Sequence, residues 1–266
     1  MDPGLASAWS DRGMALAELG RQNESIESYD EAIRLDPLLK EAWFNKGLAL
    51  HEQGRLNESL VAYDEAIRID PDYADAWYNK GNLLMAQRKH EEAIKAYEET
   101  IRIDSGSSWA WYNKGMALYH LGRLSESLQA FDEAVRIDPE YARGWAGRSV
   151  ALNGLGRYDE ALGSAERAIR LDPGSASAWN SKASALNGLG RYEEALKAID
   201  EAIRLDPEAP LYWANRGRLL SNLHRVAEAD AAFARAEELG FAADKAPGQS
   251  SRVLLQEAPS LDPSSP

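Results

Sequence analysis

This sequence predicts an all-α chain built as a row of helix pairs, and three observations carry the prediction. Seven tryptophans, Trp9, Trp43, Trp77, Trp111, Trp145, Trp179 and Trp213, stand 34 residues apart with no insertion between them. A fixed period in this range is the mark of repeat architectures. Small or apolar residues return four and seven positions after each of these tryptophans, the spacing of one helical face. A second helical pattern follows in every unit and closes, in five of them, on an Asp-Pro pair.

The first helix of each unit is defined by those offsets. Four residues after Trp stand Gly13, Gly47, Gly81, Gly115, Ser149, Ala183 and Gly217, and seven after it Leu16, Leu50, Leu84, Leu118, Leu152, Leu186 and Leu220. Gly20, Gly54, Gly122, Gly156 and Gly190 then supply the left-handed residue that ends a helix. Arg88 and His224 replace that glycine in the third and seventh units, where a slightly strained turn is expected.

The second helix carries small residues at Ser25, Ser59, Ala93, Ser127, Ala161, Ala195 and Ala229, which let it approach the first closely. Tyr29, Tyr63, Tyr97, Phe131, Ala165, Ile199 and Phe233 lie midway along it. Proline after Asp36, Asp70, Asp138, Asp172 and Asp206 forbids a helical predecessor and stops the helix. Six units place apolar residues at two positions seven apart, from Ile26 and Ile33 through to Leu196 and Ile203. The seventh places Asp230 and Glu237 there, as a polar cap would. "MDPGLASAW" parallels "LDPGSASAW" at Leu171 to Trp179, so the chain starts either at the gene's beginning or inside a longer array. Residues 244–266 are rich in Pro and Ser and read as a disordered tail, with Val253, Leu254 and Leu255 as a short apolar island.

Seven units starting at residues 6, 40, 74, 108, 142, 176 and 210 resemble the tetratricopeptide repeat family over residues 1–243. The resemblance implies a right-handed α-solenoid of antiparallel helix pairs, whose first helices line a concave groove. One departure recurs. Three residues after Trp, where the family usually has Leu, stand Arg12, Lys46, Lys80, Lys114, Arg148, Lys182 and Arg216. Their stems are expected to lie flat with the charge outward, near acids such as Asp30, Asp64 and Asp132.

Composition narrows the function. A net charge of −13 lacks the basic footprint that nucleic-acid binding needs. Without cysteine there is neither a disulfide nor a thiolate site. No apolar run reaches membrane-spanning length, and the first residues lack a signal-peptide pattern, so a cytoplasmic location is expected. The four histidines are whole units apart, and no phosphate-cradling glycine loop is present. Acid pairs such as Glu91-Glu92 recur at helix starts, where they favour the dipole. No catalytic, metal or cofactor site is expected.

If the repeating tryptophans are buried, the opposite face of each first helix holds offsets −2, +1, +5, +8 and +9 from Trp. An eighth tryptophan, Trp109, sits at −2, roughly 200° around the helix from Trp111. In units two to four this face offers Phe44, Tyr78, Met85, Trp109, Tyr112, Met116 and Tyr119. Aromatic and methionine side chains on a displayed face are the composition of a binding hot spot. Asn45, Asn79 and Asn113 form a row of amides able to read an extended peptide backbone. That row resembles the asparagine ladder of the repeat superhelix in O-linked N-acetylglucosamine transferases. Asn82, Asn113 and Arg143 match part of the carboxylate clamp of other family members, but Tyr78 and Gly147 fill its remaining places. Glu18, Glu41, Glu52 and Asp75 would attract a basic ligand. The sequence thus reads as a non-enzymatic scaffold that binds a protein or peptide, best a basic segment, in the groove of repeats two to four. Two alternatives stay open: a self-association module forming a homo-oligomer, and the regulatory repeat arm of a larger enzyme.

Overall fold

The computed structural model describes residues 3–241, so the tail expected at 244–266 lies outside them. Among the described residues there are fourteen α-helices and no strand. The chain divides into two compact units, residues 1–117 and 118–266. The first contains α1 (Pro3–Glu18), α2 (Gln22–Leu35), α3 (Lys40–Glu52), α4 (Leu56–Ile69), α5 (Ala74–Ala86) and α6 (His90–Ile103). The second contains α8 (Leu124–Ile137), α9 (Ala142–Gly154), α10 (Tyr158–Leu171), α11 (Ala176–Gly188), α12 (Tyr192–Leu205), α13 (Pro210–Asn222) and α14 (Val226–Glu238). Helix α7 (Ser108–His120) contributes residues to both. In the first compact unit α1, α3 and α5 each pack on the even helix that follows, and α2 and α4 on the next odd one. In the second, α9, α11 and α13 pack on the helix that follows, and α8, α10 and α12 on the next odd one.

The helix ends follow the local chemistry. At the close of α1, Gly20 adopts φ +72° and Arg21 N–H reaches back to the Leu16 carbonyl at 2.9 Å. Arg88 and His224 are forced into the same region, at φ +59° and +58°, which confirms strain at both turns. Asp36, Asp70, Asp104, Asp138 and Asp172 do more than precede a turn. Each accepts the backbone N–H two residues on, at 2.9–3.0 Å, and so closes the loop to the next unit. Helix α1 differs from its later equivalents: it begins at Pro3, three residues before the position where α11 starts in the same register.

In four of the pairs the core is a ring laid on a bare backbone. A Cβ added at Gly13, Gly47, Gly81 or Gly217 would come within 2.5–2.6 Å of Cε1 of Tyr29, Tyr63, Tyr97 or Phe233. Where the first helix carries Ser149 or Ala183, the facing residue shrinks to Ala165 or Ile199. Volume is conserved across the pair, as close packing demands. Ser25 and Ser59 each donate to the carbonyl of the facing glycine, at 2.8 and 2.7 Å, which holds the helices at that close approach.

The repeating tryptophans are not the core. All seven are only partly buried, and the largest fully buried side chains are instead Tyr29, Tyr63, Tyr97, Phe131, Ile199 and the repeated leucines. The indole covers the loop before its own helix. In five units its Nε1–H donates to the proline carbonyl six residues earlier, at 2.9–3.1 Å. An amphipathic ring with a donor at its edge suits that half-wet position.

The recurring cation sits on this indole. In units two to six its charged group lies 5.0–5.9 Å from the Trp ring centroid. In units two to seven it also pairs with an acid sixteen residues back, on the preceding second helix. The pairs are Lys46–Asp30, Lys80–Asp64, Lys114–Glu98, Arg148–Asp132, Lys182–Glu166 and Arg216–Asp200, at 2.6–3.1 Å. Each half-exposed pair contributes at most about 1 kcal/mol, but the row fixes the register of every joint. The cations are therefore neutralised structural parts.

Candidate partner-binding face

The candidate face is the side of the first helices opposite their repeating tryptophans. Of the residues expected there, Trp109 is the most open, with 37% of its surface exposed at the start of α7. Phe44, Asn45, Tyr78, Asn79, Asn82, Tyr119 and Arg143 are half-buried. Tyr112, Asn113 and Met116 are corrections: they retain only 5%, 7% and 6% exposure and cannot line an open wall.

The reason is the seam between successive first helices. Offset +1 is buried in Tyr112, Ala146, Asn180 and Ala214 alike; Ala146 clusters with Ala178 of the next first helix, and Asn180 accepts from Asn215 of the first helix after that. Phe44 packs at 5.1 Å from the Tyr73 ring and 5.9 Å from Tyr63. Tyr78 lies 6.0 Å from Tyr97. Each of these ring contacts lies within a single repeat.

The asparagines are engaged too. Asn113 Nδ2 donates to Tyr78 Oη and to Asn82 Oδ1, both at 3.0 Å, and Tyr97 Oη donates to the same Asn82 oxygen at 2.9 Å. Asn79 Nδ2 donates to the Asp75 carbonyl one turn back, at 2.9 Å. Asn113 therefore belongs to an internal network, with both amide hydrogens used. Burial pushes the Tyr97 phenol well above its ordinary pKa, as expected for a hydroxyl in that network.

What remains open is acidic. Glu18, Glu41, Glu52 and Asp75 are exposed, and none of them has a cationic partner among the described residues. Their field reaches the protein: Tyr73 is pushed up to about 12, first by burial and then by Asp75, Glu41 and Asp70. Asp70 is answered by Lys40 at 2.5 Å, whose ammonium stands 4.9 Å over the Tyr73 ring. Glu41 and Asp75 have no such answer. Together with Trp109 they hold equivalent positions on α3, α5 and α7.

In the second compact unit the same face carries paired amides. Asn215 donates to Asn180 at 2.7 Å and Asn222 to Asn187 at 3.0 Å. Arg218 stands among the offset +5 positions, where other units have Leu48, Asn82, Met116, Val150 and Ser184. Its Nη1 is enclosed without a hydrogen-bond partner, and burial pulls its pKa down to about 10. A lone cation at an otherwise uncharged offset was the available sequence signal for it. No metal-ligating cluster exists among the described residues, and none of the described helices is long and apolar enough to cross a membrane.

A repeat of antiparallel helix pairs with a glycine–aromatic core and an uncovered first-helix face defines the helix-pair repeat class. Family models described as "TPR repeat" match residues 13–54 and 47–88, and "Tetratricopeptide repeat" matches residues 78–142, 148–210 and 188–248. The chain belongs to the tetratricopeptide repeat family. Among solved structures it is similar to a tetratricopeptide repeat protein from Parabacteroides merdae, at 20% identity and TM-score 0.73, over 90% of this chain and 94% of that one. It is also similar to YrrB, described as a TPR protein with an unusual peptide-binding site, at 24% identity and TM-score 0.60, over 75% and 98%. MamA from Desulfovibrio magneticus matches at 23% identity and TM-score 0.54, over 62% and 94%. No curated protein matches the chain.

Proposed function

We propose that the chain is a non-enzymatic interaction module that takes a cationic segment of a partner protein on the open face of α3, α5 and α7. The family fold mediates protein–protein interaction, and YrrB is described as having a peptide-binding site. The observation that carries the finer reading is the pairing of an exposed Trp109 with carboxylates that have no cationic partner, Glu41 and Asp75 above all. A protein with six neutralised cations along its joints leaves these acids unanswered. An indole at the margin of an acidic face offers a cation–π and stacking anchor to Arg or Lys. Glu18 and Glu52 extend the acidic character, so encounter would be electrostatically steered and salt-sensitive.

The test uses fluorescence anisotropy with two labelled probes of equal length, an Arg- and Leu-containing peptide and its Glu-substituted counterpart. The cationic probe should bind, and its affinity should fall with added salt. Trp109→Ala and Asp75→Lys should each weaken it about tenfold, typical of a hot-spot truncation, while the melting temperature hardly moves. Equal binding of the acidic probe, or indifference to Trp109→Ala, would rule the reading out.

A further inference from the structure

The first helices change in charge along the chain. Each of α1, α3 and α5 carries Asp or Glu, whereas α9, α11 and α13 contain neither. On these three later helices Arg148, Lys182 and Arg216 pair with acids of the preceding second helices. Arg218 does not. It makes no ion pair and no hydrogen bond among the described residues, and its Nη1 is enclosed. Burial also weakens the hold on its proton. A desolvated cation without a counter-charge destabilises the fold, and a bound anion removes that penalty.

The surroundings of Arg218 supply further donors. Asn215, Arg218 and Asn222 stand at i, i+3 and i+7 on α13, hence on one face. Asn215 donates to Asn180 and Asn222 to Asn187 on α11, at 2.7 and 3.0 Å, so the two amide pairs bracket Arg218 along the α11–α13 seam. Each pair leaves one amide nitrogen unspent: Asn180 Nδ2 and Asn187 Nδ2 have no acceptor among the described residues. Asn180 keeps only 7% exposure, where a donor left without an acceptor is costly. At the offset of Arg218, α11 presents Ser184, so no acid of that helix answers the charge. The guanidinium stays approachable, because Arg218 as a whole is only half-buried.

We infer that the α11–α13 seam is a binding site for the carboxylate of an Asp or Glu side chain in a partner protein segment, held by the Arg218 guanidinium and flanked by the Asn180 and Asn187 amides. The guanidinium fork matches a planar carboxylate, and each amide adds an N–H. One cation balances one carboxylate, whereas a phosphate, with nearly two charges, would be only half neutralised. This site is distinct from the acidic first-helix face above and selects the opposite charge.

The probes are two short blocked peptides, identical except that one carries a single central Glu and the other Gln, titrated into the isotope-labelled full chain and followed by NMR. The Glu peptide should shift the Arg218 Nε–H and the side-chain amides of Asn180 and Asn187. It should bind about tenfold more tightly than the Gln peptide, the scale of one hydrogen-bonded ion pair. Arg218→Met should erase that preference without lowering the melting temperature. The inference is overturned if the wild-type chain does not prefer the Glu peptide, if the shifts miss Arg218, or if the preference survives in Arg218→Met. Inorganic phosphate binding as tightly at the same resonances would overturn the choice of a protein carboxylate and assign the seam to a free oxyanion.

Discussion

Gly47 and Tyr63 offer the sharpest test of the packing argument. A methyl group at residue 47 would stand 2.6 Å from Cε1 and 2.7 Å from Cδ1 of Tyr63, against an ordinary carbon contact of about 3.5–4.0 Å. Tyr63 is fully buried, with the Phe44 ring 5.9 Å from its own, so it has little room to withdraw. Gly47→Ala should therefore incur an overpacking cost of about 1–3 kcal/mol, partly offset by the roughly 1 kcal/mol that alanine gains over glycine inside a helix. A net loss near 1 kcal/mol follows. Tyr63→Ala alone should cost about 3–5 kcal/mol. In that background the added methyl meets no ring, and Gly47→Ala should turn stabilising by up to about 1 kcal/mol. The coupling, about 2 kcal/mol, is the quantity to measure. Urea unfolding of the four proteins by circular dichroism supplies it, fitted with a nearest-neighbour scheme because arrays need not melt as one unit. The double variant would approach the small–small pairing that Ser149 and Ala165 already use. If Gly47→Ala shifts the midpoint equally with and without the ring, the glycine is not there to admit Tyr63.

Three further outcomes are expected. Arg88→Gly should raise the unfolding midpoint, since a non-glycine residue at φ +59° costs about 1 kcal/mol; the neighbouring unit's Gly54→Ala should lower it by a similar amount. Arg218→Met should leave stability unchanged or raise it by about 1 kcal/mol, because it removes a poorly solvated cation with an enclosed, unpartnered Nη1. A loss of more than 1 kcal/mol there would mean that the guanidinium has an unseen partner. Finally, burial raises the folded-state pKa of Tyr29, Tyr63, Tyr97 and Tyr119 above the ordinary value of 10. Their stabilising contribution is present below pH 10 and is lost as pH climbs from there, because the unfolded chain ionises first. Denaturant midpoints should fall steeply above pH 10, and less steeply in Tyr97→Phe.

The period, the glycine stops and the Asp-Pro punctuation made the helix pairs legible, because those signals are local and each has a backbone cause. Trp109 was also placed away from Trp111 by angle alone. The seam was not legible. A helical wheel reports direction but not which neighbour stands in that direction, so Tyr112, Met116 and Asn113 looked open although all three are buried, Asn113 against Tyr78 and Asn82 of the adjoining first helix. The tryptophans misled through size. Their regularity suggested a core, whereas the Gly13–Tyr29 pairing, sixteen residues apart, would have pointed to it had the two columns been compared for volume. Arg218 passed unremarked because one charge among seven units does not disturb a pattern read by repetition.

The joints have an evolutionary corollary. Every interior unit presents a cation to the unit before it and an acid to the unit after it, so any of units two to six can be copied in place with both of its contacts met. Such a chain can lengthen or shorten by whole-unit duplication without a single compensating substitution. The seventh unit is excluded from that traffic: copied inward, Asp230 and Glu237 would break the succession. Sequence divergence should therefore be free to shuffle the middle of the array while its last unit keeps its place.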